Sequence, residues 1–378
     1  MKKVLAAVLA ASLLILPAGA TVTGAPEVSA GAAVLMEKET GEVLYQQNPH
    51  DKLEPASVTK VMTMLLVMEA MDAGLLSPDE TVRVSARAAS MGGSQVYLKE
   101  GETMTVRDLM KAVAVVSGND AAVALAERVA GSESAFVERM NQRAAELGME
   151  DTTFLNCTGL PAPGHLTSAY DIALMSRELI LHHPSVREYT TIWMDSIRDG
   201  AFQLANTNKL IRFYDGATGL KTGFTASAGY CLSATAERDG MELIAVVMKS
   251  ETRDIRNESA KSMLNFGFAN YTVVEGKPAQ ALPPVDVLLG EQEQVQPVLA
   301  GTGRILIEKA QVNDVETNVT LCSDVEAPVE EGQKLGELTV TINGQTREVI
   351  PIVASQAVER LTVPGIFQSL LERFFMAK

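Results

Sequence analysis

After Pro55 the chain runs from Val58 to Leu75 through valine, methionine, leucine and alanine with little polar interruption. A surface helix shows a polar face every 3.6 residues; this stretch shows none, which predicts a helix buried on nearly all sides. A helix of that kind belongs inside a large domain, and 378 residues, 47% of them hydrophobic, are enough for two domains or one large one with additions. Disordered and fibrous classes are excluded by the same composition.

The elements on either side follow from periodicity. Residues 32–45 read as two short strands around Glu39-Thr40-Gly41, a hairpin. Helical patterns occupy 105–116, 120–130, 132–147 and 168–182. Strand character returns after residue 216, where Tyr230 to Thr235 and Leu243 to Met248 flank an Asp239-Gly240 turn signal, and 256–269 reads as a closing helix. Strands at both ends with helices between them predict an α/β (α+β) domain, its sheet built from both chain ends around a helical insertion.

Composition shifts near residue 271. Residues 272–360 carry 14 acidic and six basic residues. Runs such as Arg304–Ile307 and Leu338–Ile342, the latter followed by Asn343-Gly344, predict a small all-β domain. At the N-terminus, Lys2 and Lys3, the apolar run Val4 to Leu16 and Ala18-Gly19-Ala20 form a signal-peptide pattern over 1–20. The run is shorter than the roughly 20 residues a membrane span requires. After Pro364, Ile366, Phe367, Leu370, Leu371, Phe374 and Phe375 share one helical face opposite Gln368, Ser369, Glu372 and Arg373. Such a helix either packs on its own protein or lies in a membrane surface, and three phenylalanines in a chain with 5% aromatics favour the membrane. The expected division is a signal peptide (1–20), the α/β domain (21–271), the β-rich domain (272–360) and an amphipathic anchor (361–378), exported to the outer face of the cytoplasmic membrane.

Three short motifs carry chemistry. Ser57-Val58-Thr59-Lys60 opens the buried helix. Positions i and i+3 share a face, so the Lys60 amine reaches the Ser57 hydroxyl. A serine becomes nucleophilic when a base takes its proton, and burial or neighbouring positive charge lowers a lysine pKa enough for that task. Alone, the spacing equally describes a helix-cap serine with a surface lysine. Ser117-Gly118-Asn119 breaks two apolar helical stretches: a plain connection, or a turn that aims a hydroxyl for proton relay and an amide for a substrate peptide group. Lys221-Thr222-Gly223 precedes the strand pair and suits an edge strand receiving an extended, anionic substrate, or is an ordinary strand entry. Each motif occurs once, and in this order the set is that of penicillin-binding proteins and class A β-lactamases.

With 52–64 (KLEPASVTKVMTM), 97–126 (VYLKEGETMTVRDLMKAVAVVSGNDAAVAL), 164–175 (GHLTSAYDIALM) and 206–224 (NTNKLIRFYDGATGLKTGF), the chain from about residue 30 onward resembles the low-molecular-mass penicillin-binding proteins that act as serine-type D-alanyl-D-alanine carboxypeptidases. The resemblance implies a penicillin-binding/β-lactamase-like domain with an antiparallel sheet, followed by a small all-β domain. It implies removal of the terminal D-alanine from peptidoglycan stem pentapeptides through an acyl-enzyme, no cofactor, and covalent inhibition by β-lactam antibiotics. By position, Ser57 would be the nucleophile and Lys60 its base, while Ser117 and Lys221 would pass the proton to the leaving D-alanine. Asn119 and Thr222, with Gly223 beside them, would bind the peptide and its carboxylate. The oxyanion hole would use the N–H groups of Ser57 and Phe224, where some relatives have histidine. Arg256, or Arg253 one turn before it, would help hold the carboxylate.

A class A β-lactamase would need a glutamate in E-x-x-L-N; here Thr152 stands three residues before Leu155-Asn156. Slow hydrolysis of a penicilloyl enzyme follows. Endopeptidase or transpeptidase chemistry shares the motifs and stays open, as does a non-catalytic β-lactam-binding protein. A net charge of −15 makes nucleic acid a poor partner. His50, His165, His182 and His183 fall in no H-E-x-x-H context, and Cys157, Cys231 and Cys322 in no C-x-x-C, so no metal is expected.

Overall fold

The computed structural model describes residues 24–365. The expected signal peptide and the apolar face of the expected anchor lie outside the described residues. Among those described, no helix is long and apolar enough to cross a membrane.

The apolar run after Pro55 winds as a 3-10 turn over Ala56–Thr59 and continues as α1 (Lys60–Asp72). Every residue from Lys60 to Met68 is buried. Four later helices pack around α1, three of them starting behind a side-chain cap. Thr105 accepts from Asp108 N ahead of α2 (Val106–Val116). Residues Asn119–Ala130 form α3. Ser132 accepts from Ala135 N to start α4 (Glu133–Glu146), and Ser168 from Asp171 N to start α5 (Ala169–His182).

The sheet is antiparallel. A hairpin of β1 (Ala32–Glu37) and β2 (Val43–Gln47) joins β3 (Ala217–Thr225), β4 (Gly229–Arg238) and β5 (Met241–Ser250) in the order β2-β1-β5-β4-β3. Alternation along the strands sends Val34, Met36, Ile244 and Val246 into the core shared with the helical insertion. Their neighbours Leu35, Leu243 and Ala245 pack instead against α6 (Arg253–Asn270), through Ala260, Met263 and Leu264. Gly267 lets α6 approach closely, because a Cβ there would lie 2.4 Å from Leu243. Deleting one fully buried leucine of such a core, Leu65 for instance, costs about 2–5 kcal/mol.

Helix α6 leads directly into β6 (Tyr271–Glu275), which pairs antiparallel with β7 (Arg304–Glu308). Beyond it, β8 (Val315–Leu321), β9 (Lys334–Ile342) and β10 (Gln345–Ala354) form a sheet with Pro297–Leu299. The turns expected at Asp239-Gly240 and Asn343-Gly344 are two-residue hairpin loops with positive φ at both positions (50° and 75°; 51° and 74°). The β-rich part docks on the hairpin: Arg347 Nη2 bonds both Glu42 carboxylate oxygens at 2.6 and 2.7 Å. The result is an α/β layer sandwich followed by an all-β unit.

Candidate active site

Lys60 opens α1 with no exposed surface. Its Nζ lies 3.1 Å from Ser57 Oγ, 2.6 Å from Asn119 Oδ1 and 2.6 Å from the Thr158 carbonyl oxygen. Burial lowers its pKa to about 7, against the pull of the Cys157 thiol and the Asp120 carboxylate. A neutral amine has two protons and one lone pair. Asn119 Oδ1 and Thr158 O only accept, so they take both protons and leave the lone pair for the Ser57 hydroxyl.

Each partner is delivered by a loop with its own cause. Thr158 lies in a turn organised by Asn156 Oδ1, which accepts from Thr158 N, Thr158 Oγ1 and Gly159 N at 3.1, 3.0 and 2.7 Å. Gly159 has φ +80°, and a Cβ there would sit 1.8 Å from Ala56 O, so only glycine lets this turn press on the nucleophile. Ser117 ends α2 in the left-handed region, φ 65°, and Asn119 begins α3. Asn119 Nδ2 donates to Gly92 O at 2.7 Å, so this amide orients Lys60 and ties down the 92–98 loop. Ser117 Oγ is buried without a hydrogen-bond partner among the described residues, and Ser117 lines the same cleft as Ser57.

Strand β3 lies along the edge of the sheet beside the nucleophile turn. A Cβ on Gly223 would meet Pro55 O at 2.9 Å and Ser57 N at 3.0 Å, so the third residue of Lys-Thr-Gly is fixed by close approach. Lys221 is buried and donates to Thr222 O at 2.8 Å. Burial holds its pKa well below the usual value, helped by the charges of Lys60 and Arg256. Thr222 Oγ1 and Thr207 Oγ1 are 2.8 Å apart at the cleft wall. Phe224 is exposed and its ring lies 4.3 Å from that of Tyr230. Arg256 projects from α6, bonded to Asn257 Oδ1 at 3.1 and 2.8 Å; burial and Arg253 lower its pKa to about 10.

These residues enclose a cleft of about 370 Å³. Its lining holds Lys209, Arg253 and Arg256 but, among the described residues, no carboxylate. In a chain of net charge −15 this is a local reversal of sign, suited to an anionic peptide end. Thr152 is elsewhere, bonded to Asp171 at 2.6 Å and Thr167 at 2.7 Å. Of the expected residues, Ser57, Ser117, Thr222, Gly223, Phe224 and Arg256 line the cleft, while Lys60, Asn119 and Lys221 lie behind its surface. Arg253, the neighbouring candidate, lines it too.

Sequence reasoning missed Asp120, buried and accepting from Val96 N and Leu98 N at 3.0 Å each, which pins the loop carrying Ser94. An acid in the first helical turn directly after Ser-Gly-Asn was the available signal. Trp193, Thr207 and Lys209 of the lining were missed as well. Elsewhere, Glu69, Glu178 and His183 bring metal-ligand atoms together, but the Arg143 guanidinium already bonds both glutamates at 2.7 and 2.5 Å. A hollow of about 410 Å³ beside Glu42, Tyr271 and Arg347 contains no nucleophile–base pair.

A family model for D-alanyl-D-alanine carboxypeptidases matches residues 19–252, and one for the C-terminal domain of penicillin-binding protein 5 matches 276–360. The chain is 43% identical over 336 residues to D-alanyl-D-alanine carboxypeptidase DacF of Bacillus subtilis, covering 88% of this chain and 86% of the relative. It is 35% identical over 344 residues to DacC of Escherichia coli, covering 89% and 86%. Penicillin-binding protein 5 from Haemophilus influenzae superposes with a TM-score of 0.76 at 29% identity, covering 89% of this chain and 99% of that one. Penicillin-binding protein D2 from Listeria monocytogenes in its ampicillin-bound form is similar over 64% of this chain and 98% of its own, at 38% identity and a TM-score of 0.59.

Proposed function

The chain belongs to the D-alanyl-D-alanine carboxypeptidase family, and from that premise we propose how its residues divide the removal of the terminal D-alanine from peptidoglycan stem peptides. The Lys60 lone pair takes the Ser57 proton as Oγ attacks the carbonyl carbon of the D-Ala–D-Ala bond. The N–H groups of Ser57 and Phe224 receive the oxyanion. The proton passes through Ser117 and Lys221 to the departing amine, the C–N bond breaks, and D-alanine leaves an ester on Ser57. Water attacks that ester with the same groups acting in reverse. Thr222 and the arginines Arg256 and Arg253 hold the peptide and its terminal carboxylate, while Asn119, expected to bind the peptide, has both ends of its amide engaged by Lys60 and the Gly92 carbonyl. The observation that carries this reading is the three-way bonding of Lys60, which leaves one lone pair, aimed at Ser57.

A β-lactam acylates the same serine, but its leaving nitrogen stays tethered in the cleft. The tethered nitrogen obstructs the water that hydrolyses the peptidyl ester, and the lining, among the described residues, holds no carboxylate to activate water by another route, so the penicilloyl ester persists. The activity places the protein in the cell envelope. Its finer address, export with loss of residues 1–20 and attachment of the 361–378 helix to the outer face of the cytoplasmic membrane, is part of the proposal. So is the division into a catalytic domain (21–271) and a β-rich domain (272–360) that spaces it from the membrane.

The test is intact mass after incubation with benzylpenicillin, beside D-alanine release from a peptide ending in D-Ala-D-Ala. A slowly decaying one-to-one adduct on Ser57, with D-alanine released, is expected, and Ser57→Ala should lose both. Rapid drug turnover without an adduct would mean a β-lactamase. An adduct without D-alanine release would mean a binding or crosslink-cutting protein.

A further inference from the structure

His165 is buried, has no place in the proton path above, and touches the back of the nucleophile turn. Its two ring nitrogens are distinguished by their partners. Leu155 N–H, which can only donate, points to Nδ1 at 3.0 Å, so Nδ1 carries the lone pair and the proton sits on Nε2. Nε2 lies 2.8 Å from Thr59 Oγ1, and Thr59 Oγ1 donates in turn to the Ala56 carbonyl at 2.9 Å. Every proton in this chain therefore has one direction: His165 to Thr59 to Ala56 O. Burial lowers the His165 pKa to about 4, against the pull of Glu54, so the ring stays neutral and the direction holds at working pH.

The end of the chain matters because Ala56 O and Ser57 N–H belong to one peptide plane. In a trans peptide these groups point in opposite directions, so anchoring the oxygen aims the N–H. Ala56 has φ +47°, a conformation that non-glycine residues rarely adopt without support. Thr59 Oγ1 holds the carbonyl from behind, and Gly159 closes against it with no room for a side chain. The Ser57 N–H is thereby directed to the cleft side, where Gly223 of the edge strand faces it.

We propose that His165 is a positioning residue: through Thr59 and the Ala56 carbonyl it fixes the peptide plane that presents the Ser57 N–H to the developing oxyanion. The inference rests on Ser57 being the nucleophile, as in the proposed function. Its consequence is specific. The chain acts on the acylation transition state and not on substrate capture, because the terminal carboxylate is held by other residues.

The test uses His165→Phe, which keeps a ring of similar size but loses both hydrogen bonds, and Thr59→Val, which keeps the branched shape but loses the hydroxyl. Acylation by benzylpenicillin is followed by quenched intact mass over a range of drug concentrations, so that reversible binding separates from the acylation step. Both variants should lose about 10- to 100-fold in the acylation rate constant, less than the roughly 100- to 1,000-fold loss seen when one oxyanion donor is removed outright, with binding before acylation unchanged. The double variant should lose no more than the worse single one, since the residues act in series. His165→Gln, which restores a donor toward Thr59, should recover part of the rate. An unchanged acylation rate in folded His165→Phe overturns the proposal, as does a double variant whose losses multiply. Should His165→Phe fail to fold, Thr59→Val decides by the same measure, with an unchanged rate again fatal. A wild-type protein that takes no adduct on Ser57 removes the nucleophile assignment itself, and this inference with it.

Discussion

Acid should switch the nucleophile off while the protein remains folded. Burial brings the Lys60 pKa down to about 7, so the amine that accepts the Ser57 proton is neutral above that pH and charged below it. Only the neutral form has a lone pair for Ser57, which fixes the sign: acylation speeds up as pH rises. At pH 5, two units below the midpoint, about one amine in a hundred is neutral, so acylation should be about 100-fold slower than on the plateau above pH 8. Below about pH 6 the rate should change tenfold per unit. Lys221 is depressed in the same direction, chiefly by burial and then by Lys60, so the measured limb belongs to the coupled pair of amines. The assay is quenched intact mass with benzylpenicillin at fixed times from pH 5 to 9, with circular dichroism at each pH to confirm folding. A rate flat between pH 5 and 8 would refute the reasoning, and so would a limb near pH 10, where an exposed lysine titrates. The same depression has a stability consequence. Between about pH 7 and 10.5 the unfolded chain binds a proton at Lys60 that the folded one does not, so this residue's contribution to stability rises with pH across that window.

Arg256→Gln should raise KM at least tenfold for a peptide ending in a free carboxylate and change it little for the carboxamide; equal losses on both would remove the arginine from carboxylate binding. Arg253→Gln, the same measurement on the neighbouring candidate, should show a smaller rise. Deleting 364–378 should move the protein from the membrane to the soluble fraction with turnover unchanged, and persistent sedimentation with membranes would contradict the anchor.

Much of the fold was legible because its signals are local. The helices expected at 105–116, 132–147 and 168–182 begin behind Thr105, Ser132 and Ser168, whose side chains accept from the third residue on. The Asp-Gly and Asn-Gly turns set the hairpin registers for the same reason. The central helix is shorter than its apolar pattern over 58–75 predicts: it begins as a 3-10 turn and ends at Asp72, because Gly74 turns at φ +70° and leaves Leu75 exposed. At the site, side chains named by motifs could be read, whereas partners that act through the main chain could not. The Thr158 carbonyl on Lys60 and the Gly92 carbonyl on Asn119 depend on tertiary placement and leave no residue-type signature.

The same contrast explains why the site sits where local preferences are broken. Ala56 and Ser117 hold left-handed backbones that non-glycine residues disfavour, and Lys60 and Lys221 are amines withdrawn from water. None of these is stable alone. Each is over-determined by surroundings that serve no catalytic step: Asp120 gathering the N–H groups of Val96, Leu98 and Ala121, Asn156 gathering three donors, and glycines at 159 and 223 where a Cβ would strike main-chain atoms. The outcome is electrostatic. Burial raises the cost of charge on both lysines, the charge of Lys60 adds to it at Lys221, and admitting water would relieve it. The supporting loops leave Lys60 and Lys221 buried, and an amine that gives up its proton near neutral pH is the base that Ser57 needs.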